Sequence, residues 1–332
     1  MSTRPAVIAH RGACGYRPEH SLSSYLLAIE QGADAAEPDL VATRDGVLVI
    51  RHENEISGTT DVADHPEFAD RRTTRVIDGE EHHGWFTEDF DWAELATLRV
   101  RERVPELRPE SAAFDGREGI LRLDDLVALL KRAPRPVRLV AEIKHASYFA
   151  SIGLPLDELF ADGIRGWATD GNLVVESFEQ SVLGAVRARG VPGRLVMLVD
   201  TAGRPADQPA RGGRDFASYL TAEGLAALAR EVDGVSVDAA LLLAERGEDE
   251  PPGTSDLVER IHAAGLDSYA WTLRPENRFL HPAFRRGDDP AAHGDWMTAF
   301  RLIMSTGVDG VFADHPDLAL RARAALGVGG RA

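Results

Sequence analysis

Short apolar runs alternate with amphipathic stretches along almost the whole chain, and this alternation restricts the fold more than any other feature. Residues 7–10, 35–39, 47–52, 137–144, 173–177, 194–199, 234–237, 266–273 and 310–312 read as strands. Helical periodicity occupies most of the gaps, at residues 21–30, 123–131, 180–189, 221–230, 256–264 and 295–305. Strand and helix in regular succession build βα units around a parallel sheet. Eight such strands close a barrel, and one more than that is available here. The surplus has a physical origin. The stretch Val41-Ala42-Thr43-Arg44-Asp45-Gly46-Val47 is too short for a crossover helix and carries an Asp-Gly turn, so the second and third strands form a hairpin. The expected fold is therefore α/β: an irregular TIM (β/α)8 barrel with a β-hairpin and a small insertion after it.

The insertion is residues 54–120, polar and charged, with scattered apolar residues and no strand–helix rhythm. Residues 1–53 and 121–326 then form the barrel. A segment that long without rhythm is uncommon unless it is functional or a small subdomain. Because it follows His52 at a strand end, it is expected to cap the barrel mouth, where catalytic loops gather. Residues 201–216 and 275–294 read as long loops, and Gly327–Gly330 as a frayed tail.

Composition bears on partners. The 332 residues carry 37 Lys plus Arg against 54 Asp plus Glu, a formal net charge of −17. That field repels nucleic acid and anionic membrane surfaces, so neither is expected as a partner. An anionic substrate would need a local cation or metal to reverse it. The single cysteine, Cys14, excludes an intramolecular disulfide and a cysteine-rich zinc cage. No apolar run reaches the roughly 18 residues of a spanning helix. The start at Met1-Ser2-Thr3-Arg4-Pro5 shows no signal-peptide pattern, and a cytoplasmic protein is expected. Oligomeric state is not encoded in any readable feature.

The chemistry-bearing residues are polar groups in strand-like runs. His10-Arg11-Gly12 ends the first run, and Glu37-Pro38-Asp39 puts two carboxylates two positions apart, on one face of a strand. The third run ends in His52-Glu53, and Glu142-Ile143-Lys144 places a carboxylate and an ammonium on one face. Unpaired charges among Val, Ile and Leu each cost several kcal/mol, so these groups must meet one another or a bound ion. Glu37, Asp39 and Glu142 supply oxygen ligands for one hard divalent cation, Ca²⁺ or Mg²⁺, with Ca²⁺ slightly preferred over Mg²⁺ and zinc disfavoured. His10 and His52 suit proton transfer near neutral pH. Arg11 and Lys144 suit non-bridging phosphoryl oxygens, Arg through a planar fork and Lys as a point charge. Metal, two imidazoles and two cations together equip a site for displacement at a phosphodiester.

The same residues carry a resemblance. His10-Arg11-Gly12, Pro18-Glu19-His20-Ser21, Glu37-x-Asp39, Arg44-Asp45-Gly46-x-x-Val49-x-x-His52, Glu142-Ile143-Lys144, Tyr269–Arg274 and Asp309–Pro316 follow one another in the order of the glycerophosphodiester phosphodiesterase family. The resemblance spans residues 7–318 and is closest to the bacterial periplasmic-type branch, without its signal peptide. It implies a barrel like that of phosphatidylinositol phospholipase C, and metal-dependent hydrolysis of small glycerophosphodiesters to an alcohol and sn-glycerol 3-phosphate. It implies that His10 and His52 are the catalytic histidines and Glu37, Asp39 and Glu142 the metal ligands. Arg11 and Lys144 then hold phosphate, and Trp271 lies where it could line the alcohol pocket. Such enzymes are thought to use the glycerol 2-hydroxyl as internal nucleophile, a route favoured by its large effective molarity. The chain departs from the pattern at Glu53, where Asp is usual, and at His20, where Asn is usual; Pro38 removes a ladder N–H between two of the ligands.

Bland readings compete with these. A lone histidine ending a strand is more often structural, and Glu142–Lys144 alone could be a buried ion pair. Glu81-His82-His83 is read as solvated, Trp271 and Phe178 chiefly as barrel packing. Arg204, Arg211, Arg214, Arg285 and Arg286 are read as solubilising. Cys14, near His10, could bind a soft metal adventitiously. A non-catalytic glycerophosphodiester-binding protein and a phospholipase D-like relative are the alternative functions.

Overall fold

The structure, a computed structural model, describes residues 4–246 and 250–326; Gly327–Gly330 lie outside them. Its strands in chain order are β1 (Ala6–His10), β2 (Ala35–Glu37), β3 (Asp39–Ala42), β4 (Leu48–Ile50), β5 (Thr73–Ile77), β6 (Glu80–Gly84) and β7 (Arg138–Ile143). They continue with β8 (Leu173–Ser177), β9 (Arg194–Val199), β10 (Gly234–Asp238), β11 (Leu243–Ala244), β12 (Gly253–Thr254), β13 (Asp267–Leu273) and β14 (Gly310–Ala313). Eight of them, β2-β1-β14-β13-β10-β9-β8-β7, hydrogen-bond in parallel, and the pairing of β2 with β7 closes the ring. The result is a TIM barrel.

Pro38 divides what the sequence presents as one strand. β2 stops at Glu37 and β3 resumes at Asp39, yet both pair with β7 in one register, Ala35 opposite Arg138 and Asp39 opposite Glu142. The missing proline N–H interrupts the ladder, while the Pro38 carbonyl still accepts from Glu142 N at 2.9 Å. β3 then runs through the Asp45-Gly46 turn, with Gly46 at φ 78°, into antiparallel β4, where Leu40 faces Ile50. This is the expected hairpin.

Alternation along the strands separates two cores. Ile8, Ala35, Val140, Val174, Val196, Tyr269 and Phe312 point inward and form one buried layer across the barrel. Their strand neighbours, such as Val7, Ala36, Leu139, Val175, Met197, Val235, Ala270 and Val311, belong to the outer core that also takes in the helices. The first of these helices, Leu22–Gln31, starts on Ser21, whose side chain accepts from Ser24 N, and stops at Gly32 in the left-handed region.

Residues 54–120 are more ordered than their composition suggests. β5 and β6 form a hairpin around Asp78-Gly79, and short helical turns follow. Ile56, Val62, Phe68, Phe90, Leu95, Leu98 and Val100 merge with the barrel's outer core. Thr87 Oγ1 donates to Ala42 O at 2.9 Å, and Arg44 N to Phe90 O at 2.9 Å, fastening the segment to the β3–β4 hairpin. No helix among the described residues is long and apolar enough to cross a membrane.

Candidate active site

The strand ends assemble the site because each carries its polar residue at the last inward position. His10 ends β1, and the chain then turns sharply through two left-handed residues, Arg11 at φ 56° and Gly12 at φ 85°. Only glycine fits at the second, since a Cβ there would meet Ser24 at 2.4 Å. The turn aims Arg11 N at Glu37 Oε2, 2.8 Å away.

A cavity of about 290 Å³ opens between the strand ends. Lining it are His10, Arg11, Glu37, His52, Glu142, Lys144, Glu176 and Trp271, with Phe178, Asp200, Arg274 and others. The structure therefore brings together seven of the eight residues singled out from the sequence. Asp39 lies just behind, its Oδ2 accepting from His20 Nε2 at 2.9 Å and facing Arg11 Nε at 3.4 Å.

Both imidazoles present Nε2 toward the cavity. His10 Nδ1 donates to Asp314 Oδ1 at 2.6 Å. Asp314 in turn accepts from Arg108 Nη2 at 2.6 Å and Arg274 Nε at 2.8 Å. His52 Nδ1 donates to Glu53, leaving its Nε2 3.3 Å from Lys144 Nζ. Burial and then the Arg11 charge push the His10 imidazole down to about 4 and the His52 imidazole to about 3. Both rings are thereby held neutral at pH 7. Arg274 and Arg108 outweigh burial at Asp314 and hold it well below the usual carboxylate range.

The acidic side of the cavity is unbalanced. Glu37, Glu142 and Glu176 offer oxygens that all lie within 4.8 Å of one another. Burial pushes Glu142 up to about 8 against the pull of Lys144, whose Nζ lies 2.8 Å from Glu142 Oε1. Burial and the neighbouring carboxylates likewise push Glu37 and Glu176 well above their ordinary values. Asp39 Oδ1, buried beside them, has no hydrogen-bond partner. Three acids sharing little more than one lysine form an all-oxygen donor set, which suits a hard divalent cation. Cys14 also falls within 4.8 Å of His10 and Asp314, but burial raises its thiol well above the ordinary range, leaving it protonated and a poor ligand.

Several partners escaped sequence reasoning. Glu176 sits in Leu-Val-Val-Glu-Ser, opposite Glu142 in the β7–β8 register; the criterion that singles out Glu142, a charge within an apolar strand, finds it too. Arg103 and Arg108 come from loops and have no such signal; Arg274 closes the Tyr269–Arg274 run that carries the resemblance but is not singled out there as a site residue. Glu19 accepts from Arg11 at 2.9 Å and Arg103 at 2.6 Å. His20 does not cap the first helix, a role Ser21 fills; it is fully buried between Asp39 and Tyr25. Glu81 and His83 are exposed on β6, away from the cavity. Trp271 packs edge-on against Phe178, centroids 5.7 Å apart, while lining the cavity. Arg204, Arg285 and Arg286 donate to carbonyls of their own loops.

Comparison with known proteins finds relatives over nearly the whole chain. Residues 10–318 match the glycerophosphoryl diester phosphodiesterase family. A glycerophosphodiester phosphodiesterase of Arabidopsis thaliana is 29% identical over 329 residues, covering 95% of this chain and 84% of that protein. Among solved structures, a Silicibacter pomeroyi protein superposes with a TM-score of 0.69 at 21% identity, over 98% of this chain and 95% of its own. An Oleispira antarctica phosphodiesterase, solved with the product sn-glycerol-3-phosphate, superposes with a TM-score of 0.62 at 20% identity, covering 96% of each chain.

Proposed function

The chain belongs to the glycerophosphoryl diester phosphodiesterase family, and we propose that it hydrolyses glycerophosphodiesters to an alcohol and sn-glycerol 3-phosphate with His10 and His52 as general acid and base. The observation that carries this reading is the pair of imidazoles, each oriented by a carboxylate at Nδ1, opening Nε2 to a cavity that also holds Arg11, Lys144 and the acidic trio. A pure binding protein has no use for two oriented proton carriers. The relative solved with sn-glycerol-3-phosphate supports the product assignment.

Glu37, Glu142 and Glu176, with Asp39 beside them, would hold one divalent cation, Ca²⁺ or Mg²⁺, which supplies charge stabilisation at a phosphoryl oxygen. The side chains do the rest. Lys144 and Arg11 place positive charge beside the non-bridging oxygens. One imidazole takes the proton of the attacking hydroxyl as its oxygen bonds to phosphorus. The other, protonated, gives its proton to the alcohol oxygen as the phosphorus–oxygen bond breaks; where the glycerol 2-hydroxyl is the attacking group, water then opens the cyclic phosphate, with the imidazoles exchanging roles, to give sn-glycerol 3-phosphate. A bound phosphodiester anion lifts the depressed imidazole pKa values, since an opposite charge favours the cationic ring. Trp271 and Phe178 border the space for the departing alcohol.

A panel of glycerophosphodiesters, assayed by release of glycerol 3-phosphate after chelation and metal add-back, tests the reading. His10→Ala and His52→Ala are each expected to lower turnover by about 10²–10⁴-fold. Turnover within threefold of the parent in either variant would overturn the assignment.

A further inference from the structure

Both oriented histidines lead back to one short segment of the insertion. Arg103 donates to both oxygens of Glu53, Nη1 to Oε1 at 3.0 Å and Nη2 to Oε2 at 2.7 Å, and Glu53 accepts from His52 Nδ1. Arg108 donates to Asp314 Oδ2 at 2.6 Å, and Asp314 Oδ1 accepts from His10 Nδ1 at 2.6 Å. Each chain is an arginine, a carboxylate and an imidazole, and both arginines sit within residues 103–108. His10 ends β1 and His52 lies two residues beyond β4, so the two rings come from separate elements.

The segment is built to stay put. Glu102 Oε1 accepts from Val104 N at 3.0 Å, Ser111 Oγ donates to Glu102 Oε2, and Arg108 N donates to Val104 O at 3.0 Å. Arg103 spends its remaining donors on Glu19, Nε to Oε2 at 2.8 Å and Nη2 to Oε1 at 2.6 Å. Arg108 spends its own on Glu276 Oε1 at 2.7 Å and the Cys14 carbonyl at 3.2 Å. A guanidinium fixed by several acceptors can hold a carboxylate at one angle, and a flexible ammonium cannot. The carboxylate then fixes both the ring plane and the tautomer, keeping the proton on Nδ1 and the lone pair on the cavity side.

We infer that residues 103–108 are a positioning element that registers His52 and His10 to each other through Arg103–Glu53 and Arg108–Asp314, so that the insertion assembles the catalytic pair. This rests on the reading of His10 and His52 as proton carriers. Arg103 and Arg108 touch no reacting atom; they act through the histidines.

Steady-state kinetics of Arg103→Gln and Arg108→Gln, alone and in the His52→Ala and His10→Ala backgrounds, test it. Each single change is expected to lower kcat by about 10–100-fold, the usual effect of removing the partner that orients a functional imidazole, with KM within threefold. Arg103→Gln should add less than threefold once His52 is gone, and Arg108→Gln less than threefold once His10 is gone, while the crossed pairs keep their full effects. Because Arg108 is buried, Arg108→Lys accompanies it: this variant retains the charge, should melt nearer the parent, and should still lose kcat. A kcat within threefold in a folded Arg103→Gln, or in folded Arg108→Gln and Arg108→Lys, overturns the inference, as do equal losses in every background, the signature of general destabilisation. Full turnover in His10→Ala and His52→Ala would overturn the histidine assignment itself, and the positioning role with it.

Discussion

On the barrel wall, Glu37, Glu142 and Glu176 crowd together and their pKa values are driven up. On the rim, where the insertion supplies Arg103 and Arg108, buried Glu19 and Asp314 and half-buried Glu53 are driven down, because Arg11, Arg103, Arg108 and Arg274 surround the first two and His52 and Arg103 flank Glu53. Burial alone pushes both groups of acids the same way; the neighbouring charges decide the outcome. Carboxylates matched by guanidinium groups are scaffolding. Those left to repel one another are kept for something that arrives from solution.

Metal removal probes the contrast most severely. If the wall is a cation site, stripping with chelator should lower turnover by about 10²-fold or more, given the several kcal/mol of transition-state stabilisation such an ion supplies. Ca²⁺ or Mg²⁺ added back should restore it. Unchanged turnover in excess chelator would erase the distinction between the two regions.

Stability should then separate them without reference to catalysis. Arg108→Met leaves Glu276 buried without its guanidinium and Asp314 with Arg274 alone, and breaking a buried pair in this way costs about 3–5 kcal/mol. Glu176→Gln does the reverse on the wall. In chelator it removes one of three acids whose ionisation burial and mutual repulsion oppose, and urea denaturation should find it as stable as the parent or more so by about 1 kcal/mol. With Ca²⁺ or Mg²⁺ at a hundred times the dissociation constant, the parent should gain about 2.7 kcal/mol, and Glu176→Gln much less. A Glu176→Gln protein destabilised in chelator by as much as Arg108→Met would show the wall to be scaffolding too.

The two regions also differ in how far the sequence reveals them. The wall was legible because strands have period 2 and few polar residues, so His10, Glu37, Glu142 and Lys144 each stand out in an apolar run. Glu176 meets the same criterion and needed only the register that sets it opposite Glu142. Pro38 marked the break between β2 and β3, and Asp45-Gly46 marked the hairpin. Asp78-Gly79 carried the same turn signal, but the charged residues around it disguised a two-stranded ribbon with little to bury. The rim was not legible. Arg108 meets Asp314 across 206 positions, Arg103 meets Glu53 across 50, and no local period records such pairings. An arginine in a polar loop looks solubilising until the fold shows what it faces.

A smaller effect sharpens the picture on the rim side. His315 opens the last helix, Pro316–Ala325, buried against the rings of Tyr16 and His293 with its Nδ1 unpartnered. Burial, then the Arg108 charge, pushes it down to about 3. The unfolded chain therefore binds a proton at His315 below about pH 6.5, while the folded protein resists doing so until about pH 3. Between those limits the unfolded state holds more protons, so stability falls as pH falls, by at most about 1.4 kcal/mol per pH unit from this residue. Above pH 6.5 the contribution is flat. His315→Gln should flatten the denaturation midpoint between pH 6.5 and 4 relative to the parent, whatever it does to the midpoint at pH 8. An acid limb equally steep in both proteins would mean that burial and the Arg108 charge do not hold the His315 ring neutral in the folded protein.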